Sequence, residues 1–133
     1  AKSMLIKLFT DAATRYETGA SAAGVVAVLD GQQHQFSVFL GDHLTNHEAE
    51  FLAAIRGFEF LDEHAAFDDT IFFYTDSRLV SDSLGKDYTG HYATLLAQLT
   101  TVTAPFKLII TQWVPEKSNQ GAHRLALQAL PKR

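Results

Sequence analysis

Residues 45–55 read Thr45-Asn46-His47-Glu48-Ala49-Glu50-Phe51-Leu52-Ala53-Ala54-Ile55, and here the hydrophobic pattern changes from strand-like to helical. Thr45 and Glu48 fit a capping box, in which a threonine at the N-cap and a glutamate three residues later each accept a hydrogen bond from the other's backbone N–H. The helical period continues beyond this stretch, so we predict a helix over Thr45–Ala65. This helix separates a first half made of strands from a second half in which strands and helices alternate.

Three strands are predicted before this helix, at Met4–Thr10, Gly24–Leu29 and His34–Leu40. A turn is expected at Gly19–Ala23, and Asp30-Gly31 is a strong signal for a two-residue hairpin. The three strands should therefore form an antiparallel meander.

The second half is predicted to contain two strands and three helices. These are strand Thr70–Thr75, helix Asp76–Leu84 stopped by Gly85, helix Tyr92–Thr100, strand Phe106–Val114 and helix Ser118–Leu130. The order βββαβααβα predicts an α/β fold: a five-stranded mixed sheet, with an antiparallel meander plus parallel strands, flanked by helices in a single domain over residues 1–133. In such sheets a functional site usually lies at the carboxyl ends of the parallel strands.

The composition excludes several classes of protein. The chain has 133 residues, no cysteine and a formal net charge of −4. Any metal must therefore be held by Asp, Glu, His or backbone oxygen. The charge argues against a protein that coats nucleic acid by positive charge alone, although cations bound by acids can reverse the local sign. The apolar stretches fall far short of the ~20 residues that span a membrane, and the first four residues show no signal-peptide core, which predicts a cytoplasmic protein without a membrane partner.

Two aspartates follow a threonine at the end of a predicted strand. Asp11 ends Leu8-Phe9-Thr10-Asp11, and Asp76 follows Thr75 in the same way. If the two strands are neighbours, both carboxylates emerge on one rim of the sheet. For Asp76 a simpler alternative is the N-cap of the helix that follows it, because aspartate is a favoured N-cap residue.

Glu50 points toward the packed side of the predicted helix. At 100° per residue, Ala53, Ala54, Gly57 and Leu61 fall within roughly 60° of Glu50, whereas Glu48 points outward or caps. A buried, unpaired carboxylate costs several kcal/mol, so Glu50 should have a partner. The candidates are a cation shared with the two aspartates, an arginine, or backbone N–H groups.

Several segments together resemble the ribonuclease H family of type I over nearly the whole chain. The segments are Phe9-Thr10-Asp11, residues 45–55, Tyr74-Thr75-Asp76-Ser77-Arg78-Leu79-Val80, and Trp113-Val114-Pro115 followed by Asn119-Gln120-Gly121-Ala122-His123-Arg124-Leu125-Ala126. Their order and spacing match the family, and the family fold agrees with the one predicted from periodicity.

The resemblance implies a metal-dependent endonuclease that hydrolyses the RNA strand of RNA/DNA hybrids with two divalent cations, Mg²⁺ or Mn²⁺. It implies that Asp11, Glu50 and Asp76 are catalytic metal ligands. His123 stands where the family usually has a fourth acid, and it is carried over as the fourth catalytic and metal-binding residue. Because imidazole suits Mn²⁺ better than Mg²⁺, the expected activity is retained but sensitive to the metal.

Candidate substrate-binding residues also come from the resemblance, and several depart from the family pattern. Ala12 replaces a common glycine, Asn46-His47 replaces an Asn-Asn pair, and Arg78 replaces a frequent glutamine. Asn119 is assigned by position. The basic extension of some members is absent, since residues 84–92 contain only Lys86 as a cation.

Other functions remain open at this stage. A catalytically weak or inactive nucleic-acid-binding module on the same fold is the main alternative, although the three core acids are present. A 3′-exonuclease would need a second acid where Ala13 stands. A protein-interaction role is the third alternative. No obligate protein partner is evident, and a monomer is expected.

Overall fold

The computed structural model describes residues 4–84 and 90–132. Five strands form one sheet, in the order β3-β2-β1-β4-β5. They are β1 (Leu5–Thr14), β2 (Ser21–Leu29), β3 (Gln32–Gly41), β4 (Thr70–Thr75) and β5 (Leu108–Trp113). The first three strands pair antiparallel, and β4 pairs parallel with both β1 and β5. The predicted mixed sheet is therefore confirmed.

In the described ranges, four helices flank the sheet. They are α1 (Asn46–His64), α2 (Arg78–Ser83), α3 (Ala93–Thr103) and α4 (Gln120–Ala129), and a 3-10 turn at Glu116–Ser118 precedes α4. The order βββαβααβα is thus as predicted. Within the described ranges, the structure contains no helix that is both long and apolar enough to cross a membrane.

Strand β1 is longer than predicted. Its pairing with β4 ends at Thr10–Thr75, but its pairing with β2 continues to Thr14–Ser21. The predicted turn at Gly19–Ala23 was accordingly placed too late, because most of that segment already lies in β2. The alanines there are small enough to pair closely and carry little hydrophobic signal. The hairpin at Asp30-Gly31 is confirmed by positive φ at both residues.

Helix α2 also begins later than predicted. Ser77, not Asp76, is its N-cap, because the Ser77 side chain accepts a hydrogen bond from the Val80 backbone N–H. The expected stop at Gly85 lies outside the described residues. The capping box of α1 is present as predicted, with Thr45 and Glu48 in reciprocal hydrogen bonds.

Helices α1 and α4 lie on opposite faces of β1 and β2, and each approaches the sheet through a glycine. A Cβ on Gly57 of α1 would lie 2.7 Å from Thr10 Cγ2. A Cβ on Gly24 of β2 would lie 1.9 Å from the Ala122 carbonyl oxygen of α4. The side of α1 that was predicted to pack is fully buried at Ala53, Ala54 and Leu61. Both close approaches lie next to the end of the β1–β4 pairing, because Gly57 faces Thr10 and Gly24 pairs with Asp11.

Candidate active site

Three carboxylates meet at the rim where β4 ends. Asp11 lies in β1 one residue beyond the last β1–β4 pair, and Asp76 follows the last residue of β4. Glu50 projects from the second turn of α1. One carboxylate oxygen from each of the three residues can be chosen so that all lie within 4.8 Å of one another. The structure therefore brings together the three acids that were predicted to converge.

The N-cap alternative for Asp76 is wrong because Ser77 caps α2. The Asp76 side chain is consequently available to the cluster. Its backbone is fixed separately, since the Trp113 indole Nε1–H donates a 3.0 Å hydrogen bond to the Asp76 carbonyl oxygen. This bond ties the end of β4 to the end of β5.

The environment of the cluster raises the pKa of two of these acids and so disfavours their ionised form. Burial, followed by the charge of Asp76, raises the pKa of Asp11 to about 7, although hydrogen bonds from the Ala12 backbone and His123 oppose this rise. Burial raises the pKa of Glu50 to about 9, with further contributions from the charges of Asp11 and Asp76 and a side-chain hydrogen bond with Asp76. Like charges brought close together in a partly desolvated site disfavour one another's ionised form.

This donor set fits a hard divalent cation. Among the described residues, no arginine or lysine forms an ion pair with Glu50 within 4.0 Å. The Ala12 backbone N–H lowers the pKa of Glu50 in part. Cations that prefer carboxylate oxygen would relieve the remaining repulsion.

His123 lies beside this cluster rather than within it. Its Nδ1 is 3.0 Å from Asp11 Oδ2, but it is not among the residues whose ligand atoms are mutually close. The same nitrogen is 3.6 Å from Oε1 of Glu116, in the 3-10 turn. Sequence reasoning missed Glu116, because an exposed glutamate after a proline has no distinctive spacing. Only its position seven residues before His123, across a sharp turn, could have suggested the contact.

The acids line an open cleft of about 340 Å³. Its walls are Asp11, Ala12, Thr14, Asn46, Glu50, Asp76, Glu116 and His123. Of the predicted substrate-binding residues, Ala12 and Asn46 lie in this cleft. The shape suits an extended, accessible substrate rather than an enclosed small molecule.

The other predicted substrate-binding residues lie outside the cleft. The Arg78 guanidinium stacks 3.8 Å from the Trp113 ring centroid, and the His47 ring meets Tyr92 edge-on. Asn119 is only 2% exposed, and its Nδ2 donates a 2.9 Å hydrogen bond to the Thr10 carbonyl oxygen. The structure thus gives Asn119 a place between α4 and β1 that is away from solvent.

The sheet order and the rim of carboxylates together define a ribonuclease H-like domain. The model of the family described as "Reverse transcriptase-like" matches residues 9–129, and the chain belongs to this family. The chain is also 32% identical over 130 residues to the putative hydrolase EbsB of Enterococcus faecalis, covering 96% of each protein.

Solved structures agree with this assignment. The structure is similar to RNase H1 from the halophilic archaeon Halobacterium salinarum, with a TM-score of 0.82 and 26% identity over 93% of this chain and 96% of that one. LC11-RNase H1 in complex with an RNA/DNA hybrid has the same fold, with a TM-score of 0.82 and 23% identity over 94% of this chain and 96% of that one. The predicted resemblance to type I ribonuclease H is confirmed, and these neighbours are RNase H1 enzymes, which supports the prediction of an endoribonuclease.

Proposed function

We propose that this chain is a divalent-cation-dependent endonuclease that hydrolyses the RNA strand of RNA/DNA hybrids. The observation that carries the proposal is the convergence of Asp11, Glu50 and Asp76 within 4.8 Å at the rim of the sheet. The similarity to the hybrid-bound LC11-RNase H1 fold supports the choice of substrate.

The chemistry requires a cation site beside an accessible phosphodiester. Two divalent cations, Mg²⁺ or Mn²⁺, would supply charge stabilisation to the attacking and leaving oxygens of an in-line displacement. Asp11, Glu50 and Asp76 would hold them, and His123 is retained as the proposed fourth residue of the site. The open cleft leaves the scissile strand accessible to these groups.

The surrounding residues keep the acids in place. The Ala12 backbone N–H favours the ionised form of both Asp11 and Glu50, since it lowers the pKa of each. Trp113 fixes the Asp76 backbone, and the Arg78 guanidinium stacks on the ring of the same tryptophan. We assign contact with the hybrid to Ala12, Asn46, His47 and Arg78, and we propose that Asn119 acts by positioning α4.

Substrate affinity should be modest. Two bound divalent cations would bring the formal charge of −4 to about zero, so general attraction to phosphates stays weak. Binding is expected to weaken further as salt concentration rises. We propose a monomer that acts in the cytoplasm through a single domain, and the absence of cysteine is compatible with a reducing compartment.

The test is cleavage of an end-labelled RNA/DNA hybrid in Mg²⁺ and in Mn²⁺, beside double-stranded RNA and double-stranded DNA. Asp76→Asn should lose at least about 100-fold in rate, because even the residues that support metal ligands cost 10–100-fold when removed. Asp82→Asn is the matched control, since Asp82 is an exposed aspartate of α2. It should cleave like the wild type.

Two results would count against the proposal. Binding of the hybrid without cleavage in either metal would indicate a ribonuclease H-like binding module instead. Cleavage that survives Asp76→Asn would show that a contaminating nuclease is responsible.

A further inference from the structure

Two carboxylates approach the same nitrogen of His123. Nδ1 lies 3.0 Å from Asp11 Oδ2 and 3.6 Å from Glu116 Oε1. One ring nitrogen carries at most one proton, so it donates a full hydrogen bond to one acceptor at a time. The shorter distance is a hydrogen bond and the longer one is not. His123 therefore has one acceptor in use and a second within easy reach.

The two acceptors differ in their freedom to move. The Asp11 side chain is 4% exposed and belongs to the central strand β1, whereas the Glu116 side chain is 63% exposed on a three-residue 3-10 turn. Glu116 can rotate about its side-chain bonds without displacing packed atoms. The gap of 3.6 Å can thus be closed by Glu116, whereas Asp11 cannot follow a moving histidine.

A cation held by Asp11 would compete with His123 for the same carboxylate. The positive charge withdraws electron density from Asp11 Oδ2 and repels the N–H proton directed at it. Glu116 is not one of the three clustered acids, so its carboxylate keeps its full capacity to accept. A shift of the donor from Asp11 to Glu116 would remove this conflict.

We propose that Glu116 is a positioning residue that takes over the Nδ1–H hydrogen bond of His123 when a divalent cation engages Asp11. The inference rests on the cation site of the proposed function. In this role Glu116 acts through His123: it draws the Nδ1–H away from Asp11 and leaves the Asp11 carboxylate free to bind the cation. Glu116 would then offset the competition for Asp11 that arises because position 123 is a histidine where the family usually has an acid.

The test is calorimetric titration of Mn²⁺ into the full chain, without nucleic acid and at fixed pH and salt. Glu116→Gln removes the charge but keeps an acceptor oxygen, whereas Glu116→Ala removes both. We expect the glutamine variant to keep the wild-type Kd within about twofold and the alanine variant to weaken it about three- to tenfold, in the range of measured pairwise couplings. In a His123→Ala background, Glu116→Ala should have no further effect.

Glu63→Ala is the control for removal of a single negative charge. Glu63 is also an exposed glutamate, and it lies 13 positions after Glu50 on α1, or about 20 Å along the helix. Its Kd should equal that of the wild type. Melting temperatures of the Glu116 and Glu63 single variants should match that of the wild type, because both glutamates are exposed.

Equal losses in the glutamine and alanine variants would overturn the inference, because they would show that the charge of Glu116 acts directly on the cation. An undiminished loss in the His123→Ala background would overturn it as well. If the variants show the expected differences in Mn²⁺ affinity but the wild-type chain cleaves no hybrid, the proposed function is overturned and this inference stands.

Discussion

Asn119, the N-cap residue of α4, and Thr10 of β1 are joined by a 2.9 Å hydrogen bond from the asparagine Nδ2 to the threonine carbonyl oxygen. The bond is buried, and it lies one residue from Asp11 on the strand and four residues from His123 on the helix. This hydrogen bond therefore helps to fix the position of the start of α4 relative to the end of the β1–β4 pairing. The other Asn119 side-chain atom, Oδ1, has no hydrogen-bond partner among the described residues.

Replacing Asn119 should affect stability and turnover more than substrate binding. Asn119→Ala should lower the free energy of unfolding by about 1–3 kcal/mol, because the Thr10 carbonyl loses its partner. The loss of the unpartnered Oδ1 places the change toward the lower end of this range. Turnover should fall while KM changes little, as measured by denaturant unfolding and steady-state cleavage of a hybrid.

Asn46→Ala provides the contrast, because Asn46 is exposed and lines the cleft. We expect it to raise KM at nearly unchanged stability. A raised KM with normal stability in the Asn119 variant would instead assign Asn119 to direct substrate contact.

The raised pKa values of Asp11 and Glu50 predict that the cation-free protein loses stability as pH rises. Both groups stay protonated in the folded chain at pH values where they ionise in the unfolded chain, so their contribution is greatest below about pH 4. It is lost progressively as pH rises through about 7 for Asp11 and about 9 for Glu50. In EDTA, the melting temperature should therefore fall by several degrees between pH 5 and pH 9, since 1 kcal/mol corresponds to about 3–5 °C at this size.

Added Mn²⁺ should recover this loss, and the recovery should be larger at pH 9 than at pH 5. Glu50→Gln isolates the cause from the titration of the histidines. It should melt above the wild type at pH 8 in EDTA and respond weakly to Mn²⁺. A wild-type curve in EDTA that is flat or rises with pH would contradict the assignment.

A side chain at position 24 should separate α4 from the sheet. The Cβ of Gly24→Ala would lie 1.9 Å from the Ala122 carbonyl oxygen and 2.6 Å from the Ala126 nitrogen, both backbone atoms that cannot turn aside. We expect a loss of at least about 2 kcal/mol in unfolding free energy, as for other overpacked interiors. Separation of α4 from the sheet should also lengthen the contact between His123 and Asp11. Fluorescence-monitored unfolding measures the loss of stability, and an NMR spectrum of the His123 ring reports the change in that contact.

Gly121→Ala is the matched control at the same interface. Its Cβ would meet only Val26 Cγ2 at 3.5 Å, an ordinary contact. Because alanine favours helix over glycine by about 1 kcal/mol, this variant should be as stable as the wild type or slightly more so. Equal destabilisation by the two substitutions would show that the close approach at Gly24 is not the cause.

A carboxylate at position 123 should favour the smaller, harder cation. His123→Asp supplies an oxygen donor in place of imidazole, and Mg²⁺ takes oxygen ligands. We expect faster cleavage in Mg²⁺ and a smaller advantage for Mn²⁺ over Mg²⁺, measured with the same labelled hybrid. A variant that is slower in both metals would contradict the interpretation of His123 as a compromised ligand.

The sequence predicted the fold and the acid cluster because these depend on local patterns. The capping box at Thr45 sets the start of α1, and the helical period then directs Glu50 toward the sheet. The Thr-Asp endings at Asp11 and Asp76 become neighbours once β1 and β4 pair. Each of these inferences needs only short-range periodicity and the rule that carboxyl ends of parallel strands share an edge.

The sequence was less informative where tertiary contacts, or a choice between two neighbouring residues, determine the structure. Ser77 rather than Asp76 is the N-cap of α2, and the sequence cannot distinguish the two because serine and aspartate are both favoured at that position. Glu116 reaches His123 only because a 3-10 turn folds the chain back before α4. Asparagine is usually exposed, so the sequence suggests a surface position for Asn119. Its burial depends on a hydrogen bond to the carbonyl of Thr10, more than a hundred residues away.

The position of β1 in the sheet also determines when the site can exist. Its partner β2 follows it almost at once, whereas its other partner, β4, begins only at Thr70. A chain emerging from the ribosome, at about 5–20 residues per second, therefore holds β1 with one edge unpaired until Thr75 has been added and β4 can pair with it. Asp11 is then present without Asp76, so the carboxylate cluster cannot form until synthesis has passed β4.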